Sequence, residues 1–314
     1  MTSVQDPTQT SLESAAMDIG VITVRDSDYP PNRRLLEAAE KRGCALGLVD
    51  PYRAGPWIFR GRPGMGGALA GSLPRLILPR QGAQIGASSL TVLSQFMAMN
   101  VPLVNRVAAI RTAANKFLTL QALAACGLPV PDTVFAHSAR LFYAAMEHLN
   151  SFPLVVKKLS SRQGKDVFLL ENSRDADQFI IGHMETGQGL LLQEFIPPAG
   201  RTDLRVLVIG EKIAGAMALV PAEGDFRSNF HVSGRSRAFE LSREIEQMAL
   251  AAARAVGLDI AGVDIIVDSR GGARVIEVNY SPGFRGLEAA TGDDMAGRII
   301  DFCLTRARKT DSVF

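Results

Sequence analysis

The sequence is poor in cysteine and histidine. Its 314 residues include four histidines and three cysteines, Cys44, Cys126 and Cys303. The cysteines are far apart, odd in number and without CxxC spacing, which argues against a disulfide framework or a zinc site. The histidines show no ligand spacing. A reducing cytoplasm is the predicted location.

Long apolar runs and a strong charge bias are also missing. No uninterrupted apolar run approaches the roughly 18 residues that span a bilayer, since even residues 251–268 are interrupted by Arg254, Asp259 and Asp264. The first 18 residues lack the basic and apolar regions of a secretory signal. A formal net charge of +2 gives no general basic field for nucleic acid. We therefore expect a soluble protein with neither a membrane nor a nucleic acid as partner.

Two common catalytic signatures are absent. No GxGxxG follows the first predicted strand, and the glycine-rich segment 61–71 lacks a strand–turn–helix context. No GxSxG is present either. A dinucleotide oxidoreductase and a serine hydrolase are both disfavoured.

Strands and helices alternate in the first third of the chain. The hydrophobic fraction of 47% and the length favour two or three packed units. IGVITV (19–24), ALGLVD, WIFRG and LILPR are strand-like, and the helices PNRRLLEAAEKRG and ASSLTVLSQFMAMN lie between or after them. This order predicts a Rossmann-like α/β domain over residues 18–105, preceded by a disordered segment 1–17.

The remainder, 106–314, has the character of an α+β domain. One long helix is predicted from RVAAIRTAANKFLTLQALAACG, and the adjacent segments DLRVLVIG and KIAGAMALV predict a hairpin at Gly210-Glu211. A second hairpin is predicted over IAGVDIIVD–SRGG–ARVIEVN, followed by a closing helix near 292–307. We divide this domain into subdomains of about 106–192 and 193–314.

Three oxygen-bearing side chains stand out in the second hairpin: Asp264, Glu277 and Asn279. If the loop has an even number of residues, Asp264 faces Glu277 and Asn279 shares their face; an odd loop puts Asp264 on the other face. Such a ligand set suits magnesium. The alternative is that Asp264 faces solvent and Asn279 merely opens the turn Ser281-Pro282-Gly283.

Further polar residues interrupt otherwise apolar strands. Lys157 and Lys158 lie in PLVVKKL, and one of them needs an anion such as phosphate if it points inward. The loop SSRQGK (160–165) could close over phosphates, and QEFI (193–196) could form an adenine slot. Asp203 and Arg205 lie in DLR, and Arg227, Ser228 and Asn229 lie in GDFRSN. Surface charge is the default reading of each residue alone.

Taken together, KKLSSRQGK, QEF, DLR, GDFRSN, GVDI and EVNYSPG resemble the RimK-type ATP-grasp ligases, the family of ribosomal protein S6 glutamate ligases. The resemblance covers residues 18 to about 307. It implies an ATP-grasp fold that holds the nucleotide between its subdomains, preceded by a Rossmann-like pre-ATP-grasp α/β domain.

The resemblance also implies roles for individual residues. Lys116 and Lys157 match phosphate-binding lysines, and Arg205 matches the catalytic arginine beside the transferred phosphoryl group. Residues matching the nucleotide hinge and further nucleotide contacts are Glu194, Phe195, Ile196, Asp203, Arg227, Ser228 and Asn229. Asp264, Glu277 and Asn279 match the ligands of two magnesium ions, with Glu277 bridging and manganese as a substitute.

The implied activity is an ATP-dependent carboxylate–amine ligase that works through an acyl phosphate. The expected partners are glutamate or a similar amino acid and an acidic peptide, a protein C-terminus or a small carboxylate, and the expected assembly is a homo-oligomer such as a tetramer. The alternatives are a ligase for a small metabolite or cofactor and a nucleotide-binding regulator with little turnover. A regulator would have lost a metal ligand or Arg205, and all are present.

The sequence departs from the family pattern near the phosphates and the acceptor. The phosphate loop has one glycine where two are usual, and Asn115-Lys116 replaces an Asp-Lys pair. Tyr280 replaces a small residue, and Phe284-Arg285 replaces Leu-Glu. These changes, with Arg80, Arg235 and Arg237 as further candidate contacts for an acidic substrate, put the specificity for ribosomal protein S6 in question.

Overall fold

The computed structural model describes residues 17–70, 72–82, 85–159, 166–183, 189–219 and 236–311. Apart from Met17, the predicted disordered segment 1–17 lies outside them. In chain order the elements are β1 (Ile19–Ile22), α1 (Pro30–Glu40), β2 (Leu46–Val49), β3 (Ala54–Phe59), β4 (Arg62–Gly67), β5 (Leu76–Pro79), α2 (Ala87–Ala98), α3 (Val107–Ala114), α4 (Lys116–Ala125), β6 (Thr133–Ala136), α5 (Ala139–Leu149), β7 (Leu154–Lys158), β8 (Val167–Leu170), α6 (Ser173–His183), β9 (Leu190–Glu194), β10 (Thr202–Ile209), β11 (Lys212–Leu219), β12 (Ser236–Ala238), α7 (Arg243–Val256), β13 (Ile260–Val267), β14 (Ala273–Asn279), α8 (Arg285–Thr291) and α9 (Met295–Asp311).

A parallel three-stranded sheet, in the order β2-β1-β5, forms the first unit. Its central strand and β5 are buried along their whole length, as expected for a parallel sheet covered on both faces. WIFRG is confirmed as part of a strand, but that strand lies outside this sheet. It belongs to the separate antiparallel hairpin β3–β4, whose second strand runs through the glycine-rich segment.

An antiparallel four-stranded sheet, in the order β6-β9-β7-β8, forms the next layer. Helices α5 and α6 contribute Phe142, Ala145, Ala176 and Phe179 to the apolar cluster that packs on it. The predicted single helix over residues 106–127 is in fact two helices, α3 and α4. The break occurs at Asn115, whose backbone is extended and whose side-chain Oδ1 caps α4 by accepting hydrogen bonds from the Phe117 and Leu118 amides.

An antiparallel five-stranded sheet, in the order β12-β11-β10-β13-β14, forms the third layer. The predicted hairpin at Gly210-Glu211 is confirmed, because Ile209 pairs with Lys212. Helix α7 packs on one face of this sheet through Ile245, Ala249 and Ala252. The predicted closing helix near 292–307 is confirmed as α9, and the short helix α8 precedes it. No helix in the part of the chain that the structure describes is both long and apolar enough to cross a membrane.

The register of the β13–β14 hairpin corrects the predicted loop. Val267 pairs with Ala273, so the loop between them holds five residues rather than the four of SRGG. An odd loop alone would separate the two carboxylates. A β-bulge restores the register, however, because Ile265 pairs with Val275 while Asp264 pairs with Glu277, leaving Ile276 as the extra residue.

Candidate active site

One face of the five-stranded sheet carries a row of charged side chains. Arg205 on β10 pairs with Asp264 on β13, and Asp264 pairs in turn with Glu277 on β14. Asn279 is two residues beyond Glu277 and therefore shares its face, since strand side chains alternate with a period of two. The sequence-predicted metal ligands and the predicted catalytic arginine thus lie on one rigid surface.

Arg205 and Asp264 form a bidentate ion pair. Arg205 Nε donates to Asp264 Oδ1 at 2.7 Å, and Arg205 Nη2 donates to Oδ2 at 2.6 Å. Their side chains are only 17% and 19% exposed. Burial acts to lower the pKa of Arg205, but attraction and hydrogen bonds from Asp264 bring it above its ordinary value. Burial raises the pKa of Asp264, and Arg205 opposes that rise.

Lys116 approaches the same row from helix α4. Its Nζ lies 3.7 Å from Glu277 Oε1. Lys116 is the first residue of α4, directly after the capping residue Asn115, so the cap fixes the position of the lysine backbone. The side-chain oxygen of Asn115 caps α4 without adding a negative charge beside Lys116.

Lys157 enters from the four-stranded sheet. Its Nζ donates to Gln193 Oε1 at 2.5 Å. Burial lowers the pKa of Lys157 to about 8; Glu277 acts to raise it, and Lys116 and Arg201 act to lower it further. Lys158 points the other way, with its Nζ 3.9 Å from Asp166 and its side chain 38% exposed. Of the two lysines, Lys157 is therefore the one that belongs to the site.

The predicted hinge residues lie at the end of β9 and just after it. Glu194 accepts a hydrogen bond from the Asp132 amide at 3.1 Å and lies 3.3 Å from Arg274 Nε, which links the two antiparallel sheets. Ile196 is buried, and its carbonyl accepts a hydrogen bond from Arg201 Nη1. No sequence signal singled out Arg274.

Asp203, predicted to contact the nucleotide, lies on β10 two residues before Arg205. It is 4% exposed and pairs with Arg201, whose Nη2 donates to Asp203 Oδ2 at 3.0 Å. Because Arg201 also holds the Ile196 carbonyl, this arginine braces the whole segment between β9 and β10. The sequence gave no reason to choose Arg201, which follows a glycine in a segment that looks like an ordinary loop.

The turn after β14 is held by residues from distant parts of the chain. Asn105 donates from Nδ2 to the carbonyls of Tyr280 at 2.9 Å and Ile260 at 2.7 Å, and its Oδ1 accepts from the Ile260 amide at 2.8 Å. Arg80 Nη2 donates to the Pro282 carbonyl at 2.8 Å. A Cβ on Gly262, which pairs with Asn279, would lie 2.7 Å from Pro282 Cβ. Only glycine at 262 lets Pro282 and the turn lie this close to β13.

Tyr280 and Arg80, one of the candidate substrate contacts, both take part in this brace. Tyr280 is 6% exposed, and its hydroxyl donates to the Gly82 carbonyl, so it joins the first domain to the site. Arg80 lies 5.5 Å from the centre of the Phe284 ring, and burial lowers its pKa to about 10. Arg237 and Arg285 are exposed.

Several predicted residues lie outside the described residues. These are Arg227, Ser228 and Asn229 of the GDFRSN segment, together with Arg235 and the phosphate loop 160–165.

The donor set fits magnesium. Asp264, Glu277 and Asn279 offer oxygen only, and no group of three or more His, Cys, Asp or Glu side chains suited to a metal occurs in the ranges the structure describes. A carboxylate oxygen has two lone pairs, so each oxygen of Asp264 keeps one after accepting from Arg205. Two carboxylates and one amide suit a hard cation that keeps waters and takes phosphate oxygens as its remaining ligands.

Two family models match the chain in succession. Residues 17–110 match the RimK PreATP-grasp domain, and residues 113–303 match the RimK-like ATP-grasp domain. A protein of Thioalkalivibrio sulfidiphilus named "Probable alpha-L-glutamate ligase" is 40% identical over 295 residues, covering 93% of this chain and 97% of that protein. One with the same name from Syntrophotalea carbinolica is 39% identical, covering 91% of this chain and 95% of that protein.

Solved structures share the fold. The ATP-grasp ligase PsnB complexed with minimal precursor aligns with a TM-score of 0.72 at 21% identity, over 92% of this chain and 99% of that one. The D-alanine–D-alanine ligase of Bacillus anthracis aligns with a TM-score of 0.70 at 16% identity, over 95% and 100% of the two chains. The predicted ATP-grasp fold with its preceding domain is confirmed, as is the predicted class of ATP-grasp ligase. The chain belongs to the RimK family of ATP-grasp ligases.

Proposed function

We propose that this protein joins glutamate or a similar amino acid to the C-terminal carboxylate of a peptide or protein, with cleavage of ATP to ADP and phosphate. The observation that carries the proposal is the row Arg205–Asp264–Glu277, with Lys116 3.7 Å from Glu277. The relatives named as glutamate ligases and the peptide-bound structure of PsnB support the substrate class.

The reaction transfers the γ-phosphate of ATP to a carboxylate, and an amine then displaces phosphate from the acyl phosphate to form the amide. Its main obstacle is repulsion between anions. Two unit negative charges about 4 Å apart repel by about 4 kcal/mol at an effective dielectric near 20. Bound magnesium supplies positive charge that draws the two anions together and stabilises the transferring phosphoryl group.

The protein's own cations also reduce this repulsion between anions. Lys116 and Lys157 enter from different elements and are close enough that Lys116 lowers the pKa of Lys157. Arg205, held by two hydrogen bonds, presents a fixed guanidinium that needs no reorganisation as charge moves during transfer. Asn279 contributes a neutral oxygen, so the metal-binding face holds two carboxylate charges rather than three and the cations are not cancelled.

The nucleotide is proposed to lie between the two antiparallel sheets, against Glu194, Phe195, Ile196 and Asp203, with two magnesium ions that share Glu277 and that manganese can replace. We also propose that the two domains meet near residue 105, that the protein forms a homo-oligomer and that it is located in the cytoplasm. The three cysteines are free thiols, and Cys44 and Cys303 are buried, which is compatible with a reducing compartment.

The test is a substrate screen. Purified protein is incubated with ATP, magnesium and each of a panel of amino acids, with acidic peptides as acceptors, and phosphate release and product mass are followed. The proposal expects ADP formation that depends on both substrates and a peptide product heavier by one or more amino acid residues. Modification of free small carboxylates alone would establish the metabolite ligase instead. Tight ATP binding without phosphate release for any pair would establish the regulator.

A further inference from the structure

A line of hydrogen-bonded polar groups crosses the four-stranded sheet beneath the site. Lys157 Nζ on β7 donates to Gln193 Oε1 on β9 at 2.5 Å. Gln193 Nε2 donates to Thr133 Oγ1 on β6 at 2.8 Å, and that hydroxyl donates to the Pro131 carbonyl at 2.8 Å. The line therefore joins three adjacent strands and ends on a backbone carbonyl.

Strand register explains why these side chains meet. Gln193 pairs with Thr133 on one side and with Val155 on the other. Lys157 is two residues beyond Val155, so it emerges on the same face as Gln193. Gln193 is buried, with 4% of the residue exposed. A buried polar side chain is destabilising unless its hydrogen bonds are made.

The direction of every bond in this line is fixed by its two ends. An ammonium can only donate, and a backbone carbonyl can only accept. Thr133 has one hydroxyl proton and gives it to Pro131, so toward Gln193 it can only accept. The amide of Gln193 must therefore turn its NH₂ to Thr133 and its oxygen to Lys157. Rotation of the amide by half a turn would break both contacts.

The amide of Gln193 is also suited to Lys157 because it carries no charge. It holds an ammonium by one strong bond but leaves the positive charge of the lysine uncancelled, whereas a carboxylate would form an ion pair and neutralise it. Glu277, Lys116 and Arg201 are the charged groups that act on Lys157, and two of these three are cations. The neutral partner thus keeps the cationic character of this corner of the site.

We propose that Gln193 and Thr133 are positioning residues that hold the Lys157 ammonium, still charged, where it meets the phosphates of ATP. The inference rests on the proposed function for the identity of the ligand. It goes beyond that function in assigning Gln193, the first residue of QEFI, to the phosphate lysine rather than to the adenine slot.

The experiment measures equilibrium binding of ATP with magnesium, without amino acid or acceptor, from about pH 6 to about pH 10. In the parent protein, affinity falls as pH rises through the pKa of Lys157, which burial lowers to about 8, because the neutral amine no longer attracts phosphate. The variants are Gln193→Leu, Gln193→Glu, Thr133→Val and Thr133→Ser. Circular dichroism and thermal melting establish that each one folds.

Gln193→Leu and Gln193→Glu should both weaken ATP binding at neutral pH, by about tenfold, since one charge-assisted bond or the free charge is lost. The two substitutions should move the pH at which ATP affinity falls in opposite directions. Leu removes a hydrogen bond to the charged lysine and lowers this pH, whereas Glu favours the charged lysine and raises this pH by about one unit or more. Thr133→Val should shift it in the same direction as Leu, and Thr133→Ser should retain the parent value.

A merely structural role would weaken binding without this opposite pair of shifts. If both Gln193 variants fold and lose affinity at the same pH as the parent protein, the inference is wrong. If Thr133→Val and Thr133→Ser behave alike, the assigned direction of the line is wrong. Failure of the proposed function is distinguishable: the binding shifts would appear as described while no amino acid and peptide pair supports phosphate release.

Discussion

Arg205 and Asp264 face each other across β10 and β13 and are joined by two hydrogen bonds of 2.7 and 2.6 Å. Both are largely buried, and Glu277 lies beside Asp264 on the next strand. The arginine neutralises the carboxylate of Asp264, a proposed magnesium ligand, before substrates arrive, and it lies where the transferred phosphoryl group is proposed to pass. Loss of the arginine should therefore reduce both stability and turnover.

Arg205→Ala should reduce phosphate release by about a thousandfold, because a fixed cation is lost where charge develops during phosphoryl transfer. It should also lower the free energy of unfolding by about 3 kcal/mol, since Asp264 keeps its buried position without its partner. Burial already raises the pKa of Asp264, and removal of the opposing guanidinium raises it further. Steady-state kinetics and urea denaturation measure the two effects.

Arg205→Lys and Arg254→Ala are the matched variants. Lysine restores the charge but not the two parallel bonds, so stability should recover more than turnover does. Arg254 is an exposed residue of α7, and its removal should change neither quantity. Full ligase rates in Arg205→Ala would show that the arginine has no role in the reaction.

Glu277→Gln should abolish detectable turnover while leaving the fold intact. The substitution keeps the shape of the side chain but removes the charge proposed to bridge two magnesium ions. Because Glu277 acts to raise the pKa of Asp264 by repulsion, its neutralisation should cost less than about 1 kcal/mol of stability. Magnesium titrations in the presence of ADP should show affinity reduced by about tenfold or more. Unchanged magnesium affinity would exclude Glu277 as a ligand.

The strands that carry the candidate site were predicted from the sequence, but the register that aligns them was not. Alternating apolar and polar positions located both hairpins of the five-stranded sheet and placed Asp264 near Glu277. The loop is odd, and for an odd loop parity alone predicts that Asp264 and Glu277 lie on opposite faces, whereas they lie on one face. The bulge at Ile276 carries no local signal: isoleucine is an ordinary strand residue, and the extra residue is accommodated by pairing across the sheet.

The braces around the site were not predictable for a related reason. Asn105 is 155 residues from Ile260 and 175 from Tyr280, and an isolated asparagine reads as a turn residue. Gln193 lies in an apolar strand, and the sequence distinguishes it only as the first residue of QEFI. A buried amide can fill the core, hold a lysine or contact a nucleotide. Its role depends on residues that are distant in sequence and become its neighbours only in the fold, so no local sequence pattern reveals it.

Asn105→Leu should destabilise the protein and weaken magnesium binding together. The substitution fills similar volume but leaves the Ile260 amide and two buried carbonyls without their partner. An unmade buried hydrogen bond costs about 1–3 kcal/mol, so a loss of at least about 2 kcal/mol is expected. The end of β14 loses its hold on the first domain, one residue after Asn279. Chemical denaturation and magnesium titration provide the measurements.

Asn105→Asp separates the two functions of this side chain. The aspartate oxygen can still accept from the Ile260 amide, but an ionised carboxylate cannot donate to the carbonyls of Ile260 and Tyr280. Stability should therefore be lower than in the parent protein at neutral pH and recover partly as pH falls and the carboxyl gains a proton. If the three proteins share one stability and one magnesium affinity, Asn105 does not brace the site.

Gly262→Ala should weaken magnesium binding without a large loss of stability. The new methyl group would lie 2.7 Å from Pro282 Cβ, and proline cannot rotate away, so the turn must shift. Gly262 pairs with Asn279, so this shift should be transmitted directly to Asn279, the proposed amide ligand. Gly283→Ala is the matched control in the same turn, because a Cβ there meets no atom within 4 Å. Magnesium titration in the presence of ADP should show a change of about tenfold for Gly262→Ala and less than about twofold for Gly283→Ala. Equal responses of the two variants would mean that the close approach of Pro282 to β13 does not set the position of Asn279.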